Sequence, residues 1–126
     1  MHHVNGAQFI DSNLEGVSFR EESRNMNLTG SILRNNSLEA KNMYMSKFIN
    51  SDLEGVNLTK TTLYGADFTG ANLKDAIITD LEIENAIFVD TDMSGAKLKD
   101  VDFKEAKEFK RVNIDNVVIG ENVIFP

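Results

Sequence analysis

Residues 61–76 read TTLYGADFTGANLKDA, a stretch in which a large apolar side chain recurs at every fifth position. The three apolar residues are Leu63, Phe68 and Leu73. This spacing matches neither the period of a helix, about 3.6 residues, nor the period of a strand, about 2 residues. The stretch therefore indicates a repeat architecture, which has to be settled before helices and strands are assigned.

The five-residue spacing extends over almost the whole chain and defines 23 positions, called centres below, all of them Leu, Phe, Ile or Met. Sixteen centres, from Leu28 to Phe103, keep one unbroken phase. The others are out of step by one residue: Phe9, Leu14 and Phe19 before them, and Phe109, Ile114, Ile119 and Ile124 after them. Such regular spacing predicts that all the centres point into one core.

The position two residues before each centre is also restricted, because Ala, Ser, Thr or Val occupies 17 of the 23 such positions. These small residues are predicted to point inward beside the centres. Lys41 and Lys107 break the rule, and a buried ammonium group without a partner is too costly. We therefore expect both lysines to swing outward at locally distorted corners.

The pattern A/S-D/N-L/F-x-x, most clearly GADFTGANLKDA at residues 65–76, resembles the motif of pentapeptide repeat proteins. The resemblance covers residues 7–124. It implies an all-β fold, a right-handed quadrilateral parallel β-helix in which five residues make one side and four sides make a coil. The chain would then form about six coils, and we treat residues 1–126 as a single domain.

A four-sided coil requires residues about 20 apart to stack, and the sequence allows this to be tested. Read in steps of four centres, one side contains five phenylalanines and one leucine: Phe9, Leu28, Phe48, Phe68, Phe88 and Phe109. The two changes of phase predict a tight or bulged corner around Glu22 to Met26 and one extra residue around Lys104 to Glu108.

Composition limits the function. The chain has no cysteine, a net charge of −7 and no apolar run long enough to span a membrane. Residues 1–96 carry 7 Lys or Arg and 14 Asp or Glu, whereas residues 97–126 carry 6 of each. An acidic body argues against direct nucleic-acid binding and favours a protein partner that is basic or itself binds DNA. A cytoplasmic location is expected, with a secreted effector as the alternative.

Catalytic constellations are missing from the sequence. The two histidines, His2 and His3, lie next to Met1 and are interpreted as a frayed terminus or tag remnant. Without a histidine base, cysteine or glycine-rich phosphate loop, we expect no catalytic residues, cofactor or metal, and hence no enzyme.

Candidate partner-binding residues are outward-facing groups that the repeat does not require. Tyr44 and Tyr64 lie one coil apart and are expected to stack on the surface. On the same side, neighbouring coils are expected to form an acidic patch, which consists of Asp80, Glu82, Glu84, Asp100, Asp102 and Glu105. A regular array of negative charges favours a basic partner surface.

Three functions remain open at this point. The first is a non-enzymatic protein-interaction scaffold with an unspecified partner. The resemblance implies a second, an acidic DNA mimic that binds a type II topoisomerase, as the Qnr quinolone-resistance proteins and the related MfpA do. The third is a targeting or spacer domain of a larger bacterial effector. Because Phe125 and Pro126 are the only residues that could cap the last coil, we also expect end-to-end self-association, or else that the chain was cut from a longer protein.

Overall fold

A computed structural model of the chain describes residues 5–126. Pairing is parallel and joins residues 19 to 22 positions apart, at first through single bridges such as Asn27 to Lys47 and Lys47 to Asp67. Towards the C-terminus the bridges lengthen into short strands: β1 (Ile77–Thr79), β2 (Ile87–Val89), β3 (Lys97–Lys99), β4 (Val101–Asp102), β5 (Glu108–Lys110), β6 (Val118–Ile119) and β7 (Val123–Ile124). A 3-10 turn covers Phe103–Glu105.

The pairs form separate parallel ladders that follow the sides of a four-sided coil. β3 lies between β1 and β6, β2 pairs with β5, and β4 pairs with β7. One turn of the chain shows the four sides in succession: Thr62 pairs with Glu82, Asp67 with Ile87, Asn72 with Asp92 and Ile77 with Lys97. The predicted parallel β-helix with five residues per side is therefore confirmed.

The core is a set of columns running along the rod. All sixteen centres from Leu28 to Phe103 are at most 2% exposed. In the phenylalanine column, Phe48 and Phe68 stack at 4.8 Å between ring centroids, and Phe68 and Phe88 at 5.1 Å. The rings are parallel to within 2°. Folding the sequence at 20 residues thus predicted the column correctly.

Serine and threonine two residues before a centre link successive coils. The hydroxyl of Ser51 donates to the carbonyl of Leu28 at 2.6 Å, and that of Thr61 to the carbonyl of Leu38 at 2.7 Å. Each acceptor is a centre of the coil below. The position therefore requires a small side chain and also benefits from a donor, because buried carbonyls are costly when unpaired. Asn36 meets both demands, since its amide donates to the carbonyl of Leu14 at 3.1 Å.

The Asp or Asn that precedes many centres shapes the turn that follows. The Asp67 carboxylate accepts a hydrogen bond from the backbone N–H of Thr69 at 2.9 Å, and Asn57 accepts one from Thr59 at 2.9 Å. This side-chain mimic of a backbone turn holds the corner in place. Most acidic residues of the motif thus have a structural role.

The corners show a second pattern, because the residue two after a centre takes a positive φ. In two of the corner columns Gly alternates with Asp or Asn from coil to coil: Asp11, Gly30, Asn50, Gly70 and Asp90, and Gly16, Asn35, Gly55, Asp75 and Gly95. A Cβ added to Gly70 would lie 2.1 Å from Oδ1 of Asn50. The glycine therefore provides the space into which the side chain of the coil below reaches.

The first change of phase lies earlier than predicted. The paired residues are 19 apart at Asn13 and Ile32 but 20 apart at Glu22 and Asn42, so the missing residue falls between Asn13 and Glu22. The predicted location, Glu22 to Met26, was wrong. Ser23 is fully buried at the centre position below Met43, and its hydroxyl donates to the carbonyl of Arg20 at 2.8 Å.

The second change of phase is found where it was expected. The 3-10 turn at Phe103–Glu105 absorbs the extra residue, and β2 and β5 pair residues 21 apart, Ile87 with Glu108. The last side was predicted incorrectly, because Val101 pairs with Val123, 22 residues on. Ile124 is consequently 43% exposed, whereas Phe125 stacks on Phe103 at 5.5 Å. Phe125, not Ile124, is the inward residue of this side.

The two exceptional lysines differ. Lys107 follows the 3-10 turn and is exposed, as predicted for a distorted corner. Lys41 lies on a regular corner, where its N–H donates to the carbonyl of Leu38 at 3.1 Å, and it is only half-buried. It lines a hollow of about 320 Å³ next to the short corner of the coil below. The distortion predicted for Lys41 is therefore in the neighbouring coil.

Candidate protein-interaction face

All but two of the predicted site residues lie on one side of the rod, the side whose centres are Ser23, Met43, Leu63, Ile83 and Phe103. Bridges between Asn42 and Thr62 and between Thr62 and Glu82 define one outward column. Backbone hydrogen bonds to the carbonyls of Tyr44, Tyr64, Glu84 and Glu105 define the other. We call this surface the tyrosine face; its outward residues are Glu22, Asn42, Thr62, Glu82 and Asp102 in one column and Arg24, Tyr44, Tyr64, Glu84 and Glu105 in the other.

Tyr44 and Tyr64 are adjacent in the second column. Their ring centroids are 5.8 Å apart and the ring planes differ by 21°, which is a stacked arrangement. Tyr44 is 41% exposed, and Tyr64 is half-buried. Both rings stand outside the core, since the inward position of each side is filled by Met43 or Leu63. Their packing leaves aromatic surface in contact with solvent.

Tyr64 forms a ridge between two hollows. On one flank is a hollow of about 350 Å³, lined by Arg24, Asn42, Tyr44, Thr62 and Tyr64. On the other is a hollow of about 510 Å³ at the corner, lined by Met45, Tyr64, Gly65, Asn85, Ile87 and Lys107. A groove beside an exposed aromatic ring is a common form of contact surface for protein segments.

The acidic patch continues the tyrosine face into the next two coils. Glu82 and Glu84 flank the centre Ile83 and are exposed, and Asp102 and Glu105 follow one coil further along. The remaining two members, Asp80 and Asp100, are at the adjoining corner, each with a positive φ. Asp102 also caps the 3-10 turn by accepting from the backbone N–H of Lys104 at 2.9 Å.

Within residues 5–126, four acidic residues outside this patch form ion pairs: Glu22, Asp52, Asp90 and Asp92. On other sides Arg34 lies 2.5 Å from Asp52 and Arg111 lies 2.6 Å from Asp90, where the guanidinium hydrogen bond lowers the pKa of the Asp90 carboxyl. Within residues 5–126, none of the six acidic-patch carboxylates has a basic group within 4.0 Å. Their charge is thus open to a partner.

The positions of Arg24 and Met45 beside the tyrosines were not anticipated from the sequence. Arg24 sits at the lower end of the tyrosine face, 3.1 Å from Glu22, and Met45, Ile87 and Lys107 line the corner hollow. The outward position of Arg24 could not be predicted because of the first change of phase, since strict five-residue spacing places Arg24 in the core. The corner hollow combines residues from four coils and two sides, which the spacing within a single column does not reveal.

Residues 5–126 contain no group of three or more His, Asp or Glu side chains placed to hold a metal ion. Over the same residues, no helix is long and apolar enough to cross a membrane. His2 and His3, interpreted as a terminus or tag remnant, lie outside the described residues.

The geometry defines a solenoid of four-sided β-coils whose outward columns present side chains to solvent. Residues 46–80 and 82–107 match, in eight copies, the model of a family described as pentapeptide repeats. No curated protein sequence matches the chain.

Solved structures with similarity to this chain are themselves pentapeptide repeat proteins. One, from the Arabidopsis thaliana thylakoid lumen, is 25% identical over 78% of this chain and 69% of its own, with a TM-score of 0.46. HetL of the cyanobacterium Nostoc, involved in heterocyst differentiation regulation, is 17% identical over 90% of this chain and 56% of its own, with a TM-score of 0.45. Trypsin-treated QnrB1, a plasmid-mediated fluoroquinolone resistance protein, is 14% identical over 93% and 84%, with a TM-score of 0.30.

Proposed function

We propose that this chain is a non-enzymatic scaffold that binds another protein through the tyrosine face. Pentapeptide repeat families are generally non-enzymatic structural or interaction proteins. The observation that carries the proposal is the stacked, exposed pair of Tyr44 and Tyr64, which the repeat does not need. Tyrosine supplies large contact area at low entropic cost and is enriched at protein interfaces.

The test is a pull-down from the native host with variants of the face. Changing both tyrosines to alanine removes the ridge, and changing Asp80, Glu82 and Glu84 to lysine reverses the adjoining charge. We expect either variant to reduce partner recovery at least about tenfold, the scale of losing one interface hot spot. Mass spectrometry of the recovered proteins provides the measurement.

A matched variant controls for net charge. Glu15, Glu39 and Glu54 are exposed on other sides of the rod, and changing these three to lysine adds the same charge. Partner recovery should stay at the level of the unmodified protein. Equal recovery with all three variants would show that binding does not use the tyrosine face.

A second candidate, the DNA mimic, is favoured by the unpaired carboxylates of the acidic patch. In this case a type II topoisomerase would be the partner, and the chain would either inhibit it or protect it from a quinolone. A supercoiling assay with DNA gyrase measures both effects. If micromolar protein changes neither, this candidate is ruled out, whereas the scaffold proposal is unaffected.

The last coil also supports the proposal that the 126-residue chain self-associates end to end. Ile114 is 38% exposed and Val118 and Ile119 are each 58% exposed, although these residues belong to the final sides of the β-helix. Their edge offers unpaired backbone to another strand. In sedimentation equilibrium we expect the average mass to rise with concentration above the monomer mass of 14.1 kDa.

Lysine at both Val118 and Ile119 should abolish this increase, because charge on an edge opposes strand pairing. Lysine at Met45, which is 46% exposed in a middle coil away from both ends, serves as the control and should leave the association unchanged. A monomer at every concentration would contradict this proposal.

A further inference from the structure

We infer that the tyrosine face recognises an extended segment carrying an arginine, whose guanidinium stacks on Tyr64 at the level of Glu82 and Glu84. The inference rests on the proposed function and specifies the chemistry of the partner. Its starting point is the order of residues in one column: Tyr44, then Tyr64, then Glu84.

The tyrosine stack ends at Tyr64. Successive coils of parallel strands are separated by about 4.8 Å, and the centroids of the two rings, which lie one coil apart, are separated by 5.8 Å. In the next coil this column continues with the carboxylate side chain of Glu84 instead of a third aromatic ring. A flat, positively charged group on the face of Tyr64 directed towards that coil would take the place of the missing third ring.

Two carboxylates are arranged to receive such a group. Glu82 and Glu84 lie on either side of the buried centre Ile83, so both project from the same side of the rod. Neither side chain has a hydrogen-bond or ion-pair partner within residues 5–126. A cation stacked on Tyr64 would meet a negative charge on each side.

Arginine fits this arrangement better than lysine. Its guanidinium is planar, stacks on aromatic rings and offers donors in a fixed fork to carboxylates. An ammonium group supplies the charge but cannot stack as a plane. The arrangement thus selects for the shape of the cation in addition to its charge.

The surrounding groups set the position of the rest of the segment. Arg24, at the far end of the smaller hollow, is already paired with Glu22 at 3.1 Å. Lys107 lines the corner hollow and opposes a second cation there, whereas Met45 and Ile87 in the same hollow suit an aliphatic side chain. The expected ligand therefore has one arginine and a nearby aliphatic residue, and it runs across the Tyr64 ridge.

The chain contains its own reporter for this event. It has two tyrosines and no tryptophan, so its intrinsic fluorescence comes only from Tyr44 and Tyr64. The probe is the blocked peptide Gly-Val-Gly-Arg-Gly, titrated at physiological ionic strength. Matched peptides have lysine, or the uncharged analogue citrulline, in place of arginine.

We expect saturable binding of the arginine peptide, about fivefold weaker binding of the lysine peptide and about tenfold weaker binding of the citrulline peptide. Glu82→Gln with Glu84→Gln should weaken arginine binding about tenfold. The control pair, Glu39→Gln with Glu54→Gln, makes the same change of charge on other sides of the rod and should leave affinity within about twofold.

Equal affinity for arginine and lysine peptides would overturn the inference, as would equal weakening by the two glutamine pairs or no saturable change at millimolar peptide. These results differ from a failure of the proposed function. If the tyrosine variants lose the host partner but the arginine peptide does not bind, the face binds protein by another chemistry and only the present inference fails.

Discussion

Replacing Phe68 with alanine is expected to lower the free energy of unfolding by about 3 to 5 kcal/mol, as for other buried phenylalanines. Phe68 is fully buried and stacks on both Phe48 and Phe88 in parallel geometry. The substitution removes the ring volume and both stacking contacts, each of which contributes about 0.5 to 1.5 kcal/mol beyond area burial. Urea titration followed by circular dichroism provides the measurement.

Two variants test the reason for this loss. Phe68→Leu should cost about 1 to 3 kcal/mol, since it keeps most of the volume, and Leu28 already occupies a position in the same column. Phe9→Ala, at the half-buried end of the column, should cost less than Phe68→Ala. If Phe9→Ala and Phe68→Ala are equally destabilising, depth within the column is not what sets the cost.

Gly70→Ala should lower the free energy of unfolding by about 2 to 3 kcal/mol, for two separable reasons. First, φ at Gly70 is +69°, a conformation that costs a residue with a Cβ about 1 to 2 kcal/mol. Second, the new methyl group would lie 2.1 Å from Oδ1 of Asn50, which would have to move. Urea titration of the variant measures the total.

Replacing Gly16 with alanine measures the cost of the positive φ alone. The φ of Gly16 is +74°, but nothing lies within 4 Å of a Cβ built there. Gly16→Ala should therefore cost only about 1 to 2 kcal/mol. Adding Asn50→Gly to Gly70→Ala should bring the cost of the alanine down to that level. Identical costs for Gly16→Ala and Gly70→Ala would mean that the side chain of Asn50 moves aside freely.

Folding the sequence at 20 residues predicted the fold because the information is repeated in every coil. The phenylalanine column could be identified from spacing alone, and so could the stacking of Tyr44 and Tyr64. The roles of residues that depart from the repeat pattern were harder to predict from the sequence. Ser23 occupies a centre although it is small and polar, so a search for large apolar residues passes over it and misplaces the nearby phase change.

The end of the β-helix was ambiguous for a similar reason. Ile124 and Phe125 are adjacent and both apolar, so either could point inward. Phe125 does so because its ring packs on Phe103 and Phe109. The hollows beside Tyr64 could not be predicted, because they depend on the side-chain volumes of residues from three or four coils, which periodicity does not describe.

The alternation of glycine with Asp or Asn gives two of the four corner columns a period of two coils. Stacked residues in its regular part are 20 positions apart, as in Asn50 to Gly70 and Gly70 to Asp90. An internal duplication of one coil would place a side chain where the coil above also has one, whereas a duplication of two coils would preserve every corner. Growth of such a rod by gene duplication, or its extension by design, is therefore easiest in steps of about 40 residues.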